Sequence, residues 1–450
     1  MKKLFFILSI ILIFSIHIKT INIYSQPSDN KEIIGDNELL LNDNDIILSD
    51  TLLNIGRVFG ITGFLLFGLV IFVSGTSGLF DPIFGLNNII RFHKKFTLFS
   101  FFILFFHPVF IILSNISIGL TVSDFFISYL SYPPFVLGGL SFVLFIIIVL
   151  TYLLYYKCLN YKLWSSLYIF TIIAFLFAAY HLFYFGVFSG FYSIVPLVNI
   201  YIYSGIIFAS LGVMIRIVFL FIKKKVSTEI IDILKETNDV SSIYLNKPEG
   251  FNYKAGQFCF ISFNKKGLSK PHPFFISSSP SEGHLVFTIK NKDKFTSRVL
   301  SLNKGTRVKI DGPYGIFKYR KKDSIFITEG VGVIPFKSII GEKAYFIRGQ
   351  KIRLIYLNET KNSIIFHSWF DMLMEDNKYL NFNAAYILRN ENLPGYEHGS
   401  ISKHIIIKKS DFKEDFYICG QKKMIKEIIS ILRKNKVPKK RIYTENVALL

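Results

Sequence analysis

The chain has 450 residues, 51% of them apolar and 49 of them phenylalanine, and its mean hydropathy is +0.42. A water-soluble fold of that length cannot hide so much apolar surface, so part of the chain must be solvated by lipid. The net charge of +21 lies mostly in the second half, where residues 226–450 carry 38 Lys and Arg against 22 Asp and Glu, compared with 14 against 9 in residues 1–225. Lysine-rich surface beside an anionic leaflet accounts for that excess, and no nucleic acid partner is expected. Cys158, Cys259 and Cys419 form no Cys-x-x-Cys pair, which excludes a disulfide framework, a four-cysteine zinc site and a protein-ligated iron–sulfur cluster.

Residues 1–25, opening "MKKLFFILSIILIFSI", read as either a signal peptide or a first transmembrane helix. Residues 26–55 form a polar segment expected outside the cytoplasm. Five apolar runs follow near 56–75, 95–118, 133–156, 163–186 and 199–222, each long enough to cross about 30 Å of hydrocarbon as a helix. The short loops set the direction. Arg91, Lys94 and Lys95, then Lys157 and Lys162, then Lys223, Lys224 and Lys225 mark cytoplasmic ends, whereas residues 21–50 hold seven acidic groups and one lysine. The expectation is a multi-pass protein of the cell membrane, with the bilayer as a partner and the C-terminal half in the cytoplasm.

His93 and His107 stand fourteen positions apart in "RFHKKFTLFSFFILFFHPVF", which returns them to within about 40° of one helical face. His181, in "FAAYHLFYFG", belongs to a helix running in the same direction, so His107 and His181 reach similar depths. Neutral imidazoles facing a bundle interior suit haem iron; the alternative is a set of hydrogen-bonded structural histidines.

From Val226 the pattern changes to alternating runs broken by Asn-Asp, Pro-Glu-Gly and Ala-Gly, the signature of a small antiparallel barrel, continued by "HLVFTIK" and "TRVKIDGPYG". Between them "PHPFFISSSP" presents His272, an aromatic pair and three hydroxyls, a combination suited to a planar ring and a phosphate or simply to a solvated turn. Beyond Lys321, "SIFITEG", "KIRLIYLN", "NFNAAYILRN" and "DFYICGQ" alternate with helical stretches, which predicts a parallel sheet with helices on both faces. "TEGVGVIPF" places Gly330 and Gly332 between a strand and a helix, where backbone N–H groups meet a pyrophosphate.

As a set and in this order, these motifs resemble the ferric reductase and NADPH oxidase superfamily. The implied fold is multi-domain: a polytopic α-helical membrane bundle of five to six helices (56–225), an antiparallel β-barrel FAD domain (226–320) and an α/β nucleotide-binding domain (321–450). On the resemblance, His107 and His181 pair around an outer haem b. His93 takes the inner ligand position, and the histidine expected opposite it is Tyr168, so a second haem would be five-coordinate, tyrosinate-bound or absent. Tyr161 and Trp164 match the start of the second histidine helix.

The segment "HPFFISSSP" is similar to the superfamily's flavin motif. His272, Pro273, Phe274 and Phe275 would line the isoalloxazine and ribityl chain, and Ile276 and Ser277 would offer main-chain donors. Lys290, Phe295 and Thr296 would surround the FAD diphosphate, with Asp293 replacing a glycine. Gly330, Gly332 and Pro335 would form the NAD(P)H phosphate loop, with Glu329 in place of its first glycine. Cys419, followed by Gly420, would be the catalytic position beside nicotinamide C4, and Glu445 matches the family's terminal acidic residue, with Val447 where an aromatic often covers the flavin. Asn358 and Lys361 leave NADH and NADPH both open.

The implied activity is electron transfer from NAD(P)H through FAD and haem to a small-molecule or protein acceptor, such as a ferric chelate, oxygen or a quinone. The alternatives are a membrane flavin reductase serving a partner protein, and a degenerate non-catalytic membrane protein.

Overall fold

The computed structural model describes residues 42–158, 161–188, 196–222, 226–320, 322–346, 350–375, 381–401 and 413–446. The N-terminal segment 1–25, Val447 and the side chains of Tyr161, Trp164 and Tyr168 lie outside the described residues. The chain divides into two units, one of residues 1–78 and 89–222, the other of residues 79–88 and 223–450.

The first unit is helical. Its long elements are α1 (Asp43–Gly75), α3 (Leu86–Ser117), α5 (Pro133–Cys158), α6 (Tyr161–Phe188) and α7 (Pro196–Ile222), with α4 (Val122–Leu130) as a short connector; most of α2 (Ser77–Phe84) belongs to the second unit. Among the described residues four helices are long and apolar enough to cross a membrane, within α1, α3, α5 and α7, and Ile169–Tyr184 of α6 is a shorter apolar helix. Of the five to six spans expected from the sequence, four meet that length and apolarity among the described residues, and the candidate in residues 1–25 lies outside them. Large apolar side chains face outward, with Phe221 81% exposed, an arrangement that only lipid solvates well.

The helices meet through small residues and stacked rings. A Cβ added at Gly68 would come 2.3 Å from Gly205 O, and one at Gly75 would come 1.9 Å from Gly212 O, so α1 and α7 touch backbone to backbone along a seven-residue repeat. At the centre Phe67 stacks on Phe145 with ring centroids 4.5 Å apart, and Phe64 on Phe175 at 4.8 Å. Dispersion between such rings is the main cohesion available where lipid removes the hydrophobic drive.

The second unit contains two six-stranded sheets. The first has the order β4-β3-β6-β1-β2-β5 and is antiparallel, built from β1 (Val226–Lys235), β2 (Val240–Asn246), β3 (Phe258–Phe263), β4 (His272–Phe275), β5 (His284–Lys290) and β6 (Arg307–Tyr314). Its two edges meet at one antiparallel bridge, Ile276 to Phe287, instead of a full ladder. A short helix α8 (Lys294–Leu300) follows β5.

The second sheet is parallel, in the order β10-β9-β8-β7-β11-β12. Its strands are β7 (Ser324–Glu329), β8 (Lys351–Asn358), β9 (Asn381–Leu388), β10 (Glu397–His398), β11 (Asp415–Gly420) and β12 (Ile442–Asn446). Alternation along β7 explains the layering, because successive strand residues point to opposite faces. Phe326 packs in one core with Phe336 and Ile339 of α9 (Ile334–Phe346) and Phe370 of α10 (His367–Glu375). Ile325 and Ile327 pack on the other face with Met424, Ile428 and Leu432 of α11 (Lys422–Lys434). Helices therefore cover both faces, as the runs in the sequence predict.

Candidate functional site

His107 and His181 line one cavity of about 870 Å³ in the helical unit, together with Arg57, Phe64, Phe67 and Phe145. Their ring centroids are 6.3 Å apart and the rings are inclined by 73°. His107 Nδ1 lies 2.8 Å from Gly56 O, and His181 Nδ1 lies 2.9 Å from Pro134 O. A carbonyl only accepts, so both Nδ1 atoms carry the proton and the lone pair of each neutral imidazole is on Nε2.

Each ring rests against a glycine. A Cβ at Gly60 would sit 2.7 Å from His107 Nδ1, and one at Gly138 would sit 2.6 Å from His181 Nδ1. His93 is held differently: it hydrogen-bonds the Val70 backbone and is not among the residues lining the cavity. Among the described residues no three His, Cys, Asp or Glu side chains gather as a metal cage.

In the second unit the ring of His272 stacks on Phe295 with centroids 3.5 Å apart and an angle of 24°, and His272 Nδ1 donates to Lys270 O at 3.0 Å. Pro273 and Phe274 are half-buried beside them on β4, and Phe275 is buried against Phe258. The expected main-chain donors need correction. Ile276 N donates to Gln257 O at 3.1 Å and Ser277 N to Val286 O at 2.8 Å, so both are engaged in the sheet's own hydrogen bonds and serve to hold the segment in place.

Lys290 pairs with Asp239 at 3.1 Å. The carboxylate of Asp293 is taken up as the N-cap of α8: Thr296 N donates to its Oδ1 at 2.9 Å, and Thr296 Oγ1 accepts from Asp293 N at 3.0 Å. These bonds from Thr296 hold the Asp293 carboxyl below its ordinary range. An open depression of about 490 Å³ at this corner is lined by Asn291, Lys292, Asp293, Lys294, Ser297 and Arg298.

The glycine loop follows β7 as a single 3-10 turn, Gly330–Val333, with Gly330 at φ 50°. Tyr356 on β8 pins it, its hydroxyl donating to Gly330 O at 3.0 Å. Gly332 is required by close approach, since a Cβ there would meet Cys419 O at 2.4 Å and Thr328 Oγ1 at 2.6 Å. Thr328 Oγ1 donates to that same Cys419 O at 2.9 Å, tying β7 to β11 beneath the loop. Pro335 is buried in the first turn of α9, where its missing N–H costs nothing.

Cys419 is fully buried, and Gly420 after it ends β11. Burial pushes the Cys419 thiol well above its usual range, so it is neutral near pH 7 and is no thiolate nucleophile. Burial also raises the Glu329 carboxyl, opposed by the Arg389 guanidinium 3.7 Å away. Asp81, in the 79–88 segment of this unit, is 3% exposed and accepts from Leu86 N at 2.6 Å and Gly315 N at 3.2 Å. Asn87 Nδ2 donates to Glu445 Oε1 at 2.6 Å, so this segment touches both the turn after β6 and the last strand. Reasoning from sequence missed Asp81, Gly60 and Gly138. Small residues within the apolar runs "RVFGITGF" and "FVLGGLSF" were the only available signal for the two glycines.

A lipid-facing helical unit with a buried imidazole pair, joined to an antiparallel sheet and a doubly wound nucleotide fold, defines a membrane-anchored reductase architecture. Comparison with known proteins makes it specific. Residues 59–179 match the ferric reductase like transmembrane component, residues 223–318 an FAD-binding domain and residues 326–429 an oxidoreductase NAD-binding domain. The chain is thus a ferric-reductase-like transmembrane domain fused to FAD- and NAD-binding reductase domains.

Relatives include respiratory burst oxidase homolog protein B of Oryza sativa subsp. japonica, 28% identical over 143 residues, which are 25% of this chain and 16% of that protein. Human dual oxidase 2 is 28% identical over 135 residues, 27% of this chain and 9% of that protein. The chain therefore spans only a small part of the length of the curated relatives it matches. Among solved structures, the flavohem-like FAD/NAD binding domain of nitric oxide dioxygenase from Vibrio cholerae is 19% identical, covering 50% of this chain and 98% of that one, with a TM-score of 0.45.

Proposed function

We propose that the chain is a transmembrane flavohaem oxidoreductase that oxidises NAD(P)H at the cytoplasmic face and delivers electrons through the membrane to an acceptor such as a ferric chelate, oxygen or a quinone. The imidazole pair carries this reading. Both rings border one cavity of about 870 Å³ with centroids 6.3 Å apart, and their Nδ1 bonds leave each Nε2 lone pair free, so His107 and His181 would hold the iron of a haem placed there.

FAD would supply the conversion between two-electron hydride and one-electron chemistry, and haem b would supply a one-electron carrier within the membrane unit. The chain's own residues do the placing. His107 and His181 would hold the iron as neutral ligands, because the Gly56 and Pro134 carbonyls fix their tautomers. Arg57, lining the same cavity, supplies a cation for a propionate. His272 and Phe295 offer a stacked platform for the flavin, and Lys292, Lys294 and Arg298 give the depression at α8 positive charge for the diphosphate. Gly330, Gly332 and Pro335 would open a loop to the nucleotide phosphates, and the neutral Cys419 thiol would pack beside the nicotinamide and orient it. The basic loops support a cytoplasmic second unit. One haem is proposed, because the cavity lining includes His107 and His181 and not His93.

Anaerobic addition of NAD(P)H to the purified chain tests this: flavin absorbance is expected to bleach first, followed by a shift of the haem Soret band. Flavin bleaching with a haem that stays oxidised would refute the through-membrane route.

A further inference from the structure

The carboxyl ends of β7, β8 and β9 carry a charge network that bears on which nicotinamide nucleotide is used. In a doubly wound sheet, the residue that ends the strand beside the phosphate-loop strand meets the adenosine ribose, and an acidic group there binds a 2′-hydroxyl whereas a free arginine accommodates a 2′-phosphate. Here that strand is β8, paired in parallel with β7, and Glu359 follows its last residue, Asn358.

Arg389, just beyond β9, is the nearby guanidinium, and it is already engaged. Its Nη1 donates to Glu359 Oε1 at 2.6 Å and its Nη2 lies 3.7 Å from Glu329 Oε2. Asn390 Nδ2 adds a bond to Glu359 Oε2 at 3.1 Å, and two backbone bonds, Arg389 N to Asn358 O and Asn390 N to Glu359 O, both 2.9 Å, fix the two strand ends together. Lys361, the other cation, places its ammonium 5.5 Å over the Tyr396 ring, while its amide donates to Glu391 Oε2 at 2.7 Å. Three carboxylates thus face two cations. The side chain of Asn358, 4% exposed, lies against the Tyr356 hydroxyl at the same strand end.

We infer that the adenosine subsite is built for NADH, with Glu359 accepting the ribose 2′-hydroxyl and the Glu359–Arg389–Glu329 network refusing a 2′-phosphate. A carboxylate retains acceptor capacity after bonding Arg389 and Asn390, so a hydroxyl can join the network. A phosphomonoester brings close to two negative charges to a site whose guanidinium is already balanced. The inference rests on the reading of this unit as a nicotinamide nucleotide site and adds its specificity.

Calorimetric titration of the purified full chain with ADP-ribose and with 2′-phospho-ADP-ribose tests it without any electron transfer. ADP-ribose is expected to bind at least about tenfold more tightly, a difference of about 1.4 kcal/mol. In Glu359→Ser, which frees Arg389, the ratio is expected to fall to about one or reverse, with bound flavin unchanged as the check on folding. Equal or tighter binding of the 2′-phosphate by the parent, or a ratio unmoved by Glu359→Ser, would overturn the inference. Binding of neither ligand would overturn the nucleotide-site reading and this one with it. Selective ADP-ribose binding without NADH-driven flavin reduction would sink only the electron-transfer reading and leave this one supported.

Discussion

The imidazole of His107 and that of His181 lie 6.3 Å apart, centre to centre, and each is anchored through Nδ1 to the backbone carbonyl of a different helix. Four helices therefore converge on the pair: α3 and α6 carry the rings, and α1 and α5 hold them. Buried imidazoles that only stapled helices together would need one bond each and no cavity between them. Here the rings border a space that the surrounding phenylalanines leave open, and glycines sit where any side chain would displace a ring.

His272→Ala is expected to weaken FAD binding about two- to tenfold, the loss of a stacked pair worth roughly 0.5–1.5 kcal/mol. Its ring lies on Phe295 at 3.5 Å and belongs to β4, not to the membrane helices, so insertion should be unaffected. Flavin content per folded chain is the measurement, and equal content in parent and variant would remove His272 from the flavin site.

Gly332→Ala places a methyl 2.4 Å from Cys419 O. The loop must lift from β11, so KM for the nucleotide should rise several-fold while FAD remains bound, because the antiparallel sheet is untouched. Steady-state kinetics beside flavin content decide this, and an unchanged KM would contradict the phosphate-loop assignment.

The pH dependence of the α8 corner follows from Asp293. Its folded-state carboxyl is lowered by the bonds from Thr296, so its stabilising contribution is complete above the unfolded value of about 3.9 and disappears as pH falls through the lower folded value. Flavin retention near α8 should therefore decline at acid pH more steeply in the parent than in Asp293→Asn. At pH 7 Asp293→Asn should be close to the parent, because asparagine caps a helix about as well as aspartate, whereas Asp293→Ala, which removes the cap, should be weaker by about 1 kcal/mol. Flavin fluorescence released across an acid titration of the full chain reports this, and superimposable curves would show that the cap does not matter there.

Much of this arrangement was legible in the sequence because it is local. Alternation and glycine breaks marked β1, β2, β3, β5 and β6, and apolar runs marked β7, β8, β9 and β11. Depth in helices running the same way matched His107 with His181, whereas the fourteen-residue spacing put His93 near the face of His107 and the cavity lining does not include it. What escaped depends on contacts distant in sequence. Gly60 and Gly138 look like ordinary small residues of apolar helices until the opposing ring is seen. Glu329 reads as a charge spoiling a phosphate loop until Arg389, sixty residues later, is found beside it. Asp293 reads as a carboxylate against a diphosphate until its cap to Thr296 is visible. The short "RIYTEN" stretch gave no strand signal of its own, and it forms β12 only by pairing with β11.

The most direct measurement is haem per FAD in the purified chain, combined with optical and paramagnetic spectra of the parent, His107→Ala, His181→Ala, Gly138→Ala and His93→Ala. One low-spin bis-histidine haem per FAD is expected. It should be abolished in His107→Ala and His181→Ala, loosened about tenfold or more in Gly138→Ala where the His181 anchor is displaced, and largely kept in His93→Ala. Two low-spin haems per FAD, or a single one that vanishes with His93 and survives loss of His181, would contradict the account.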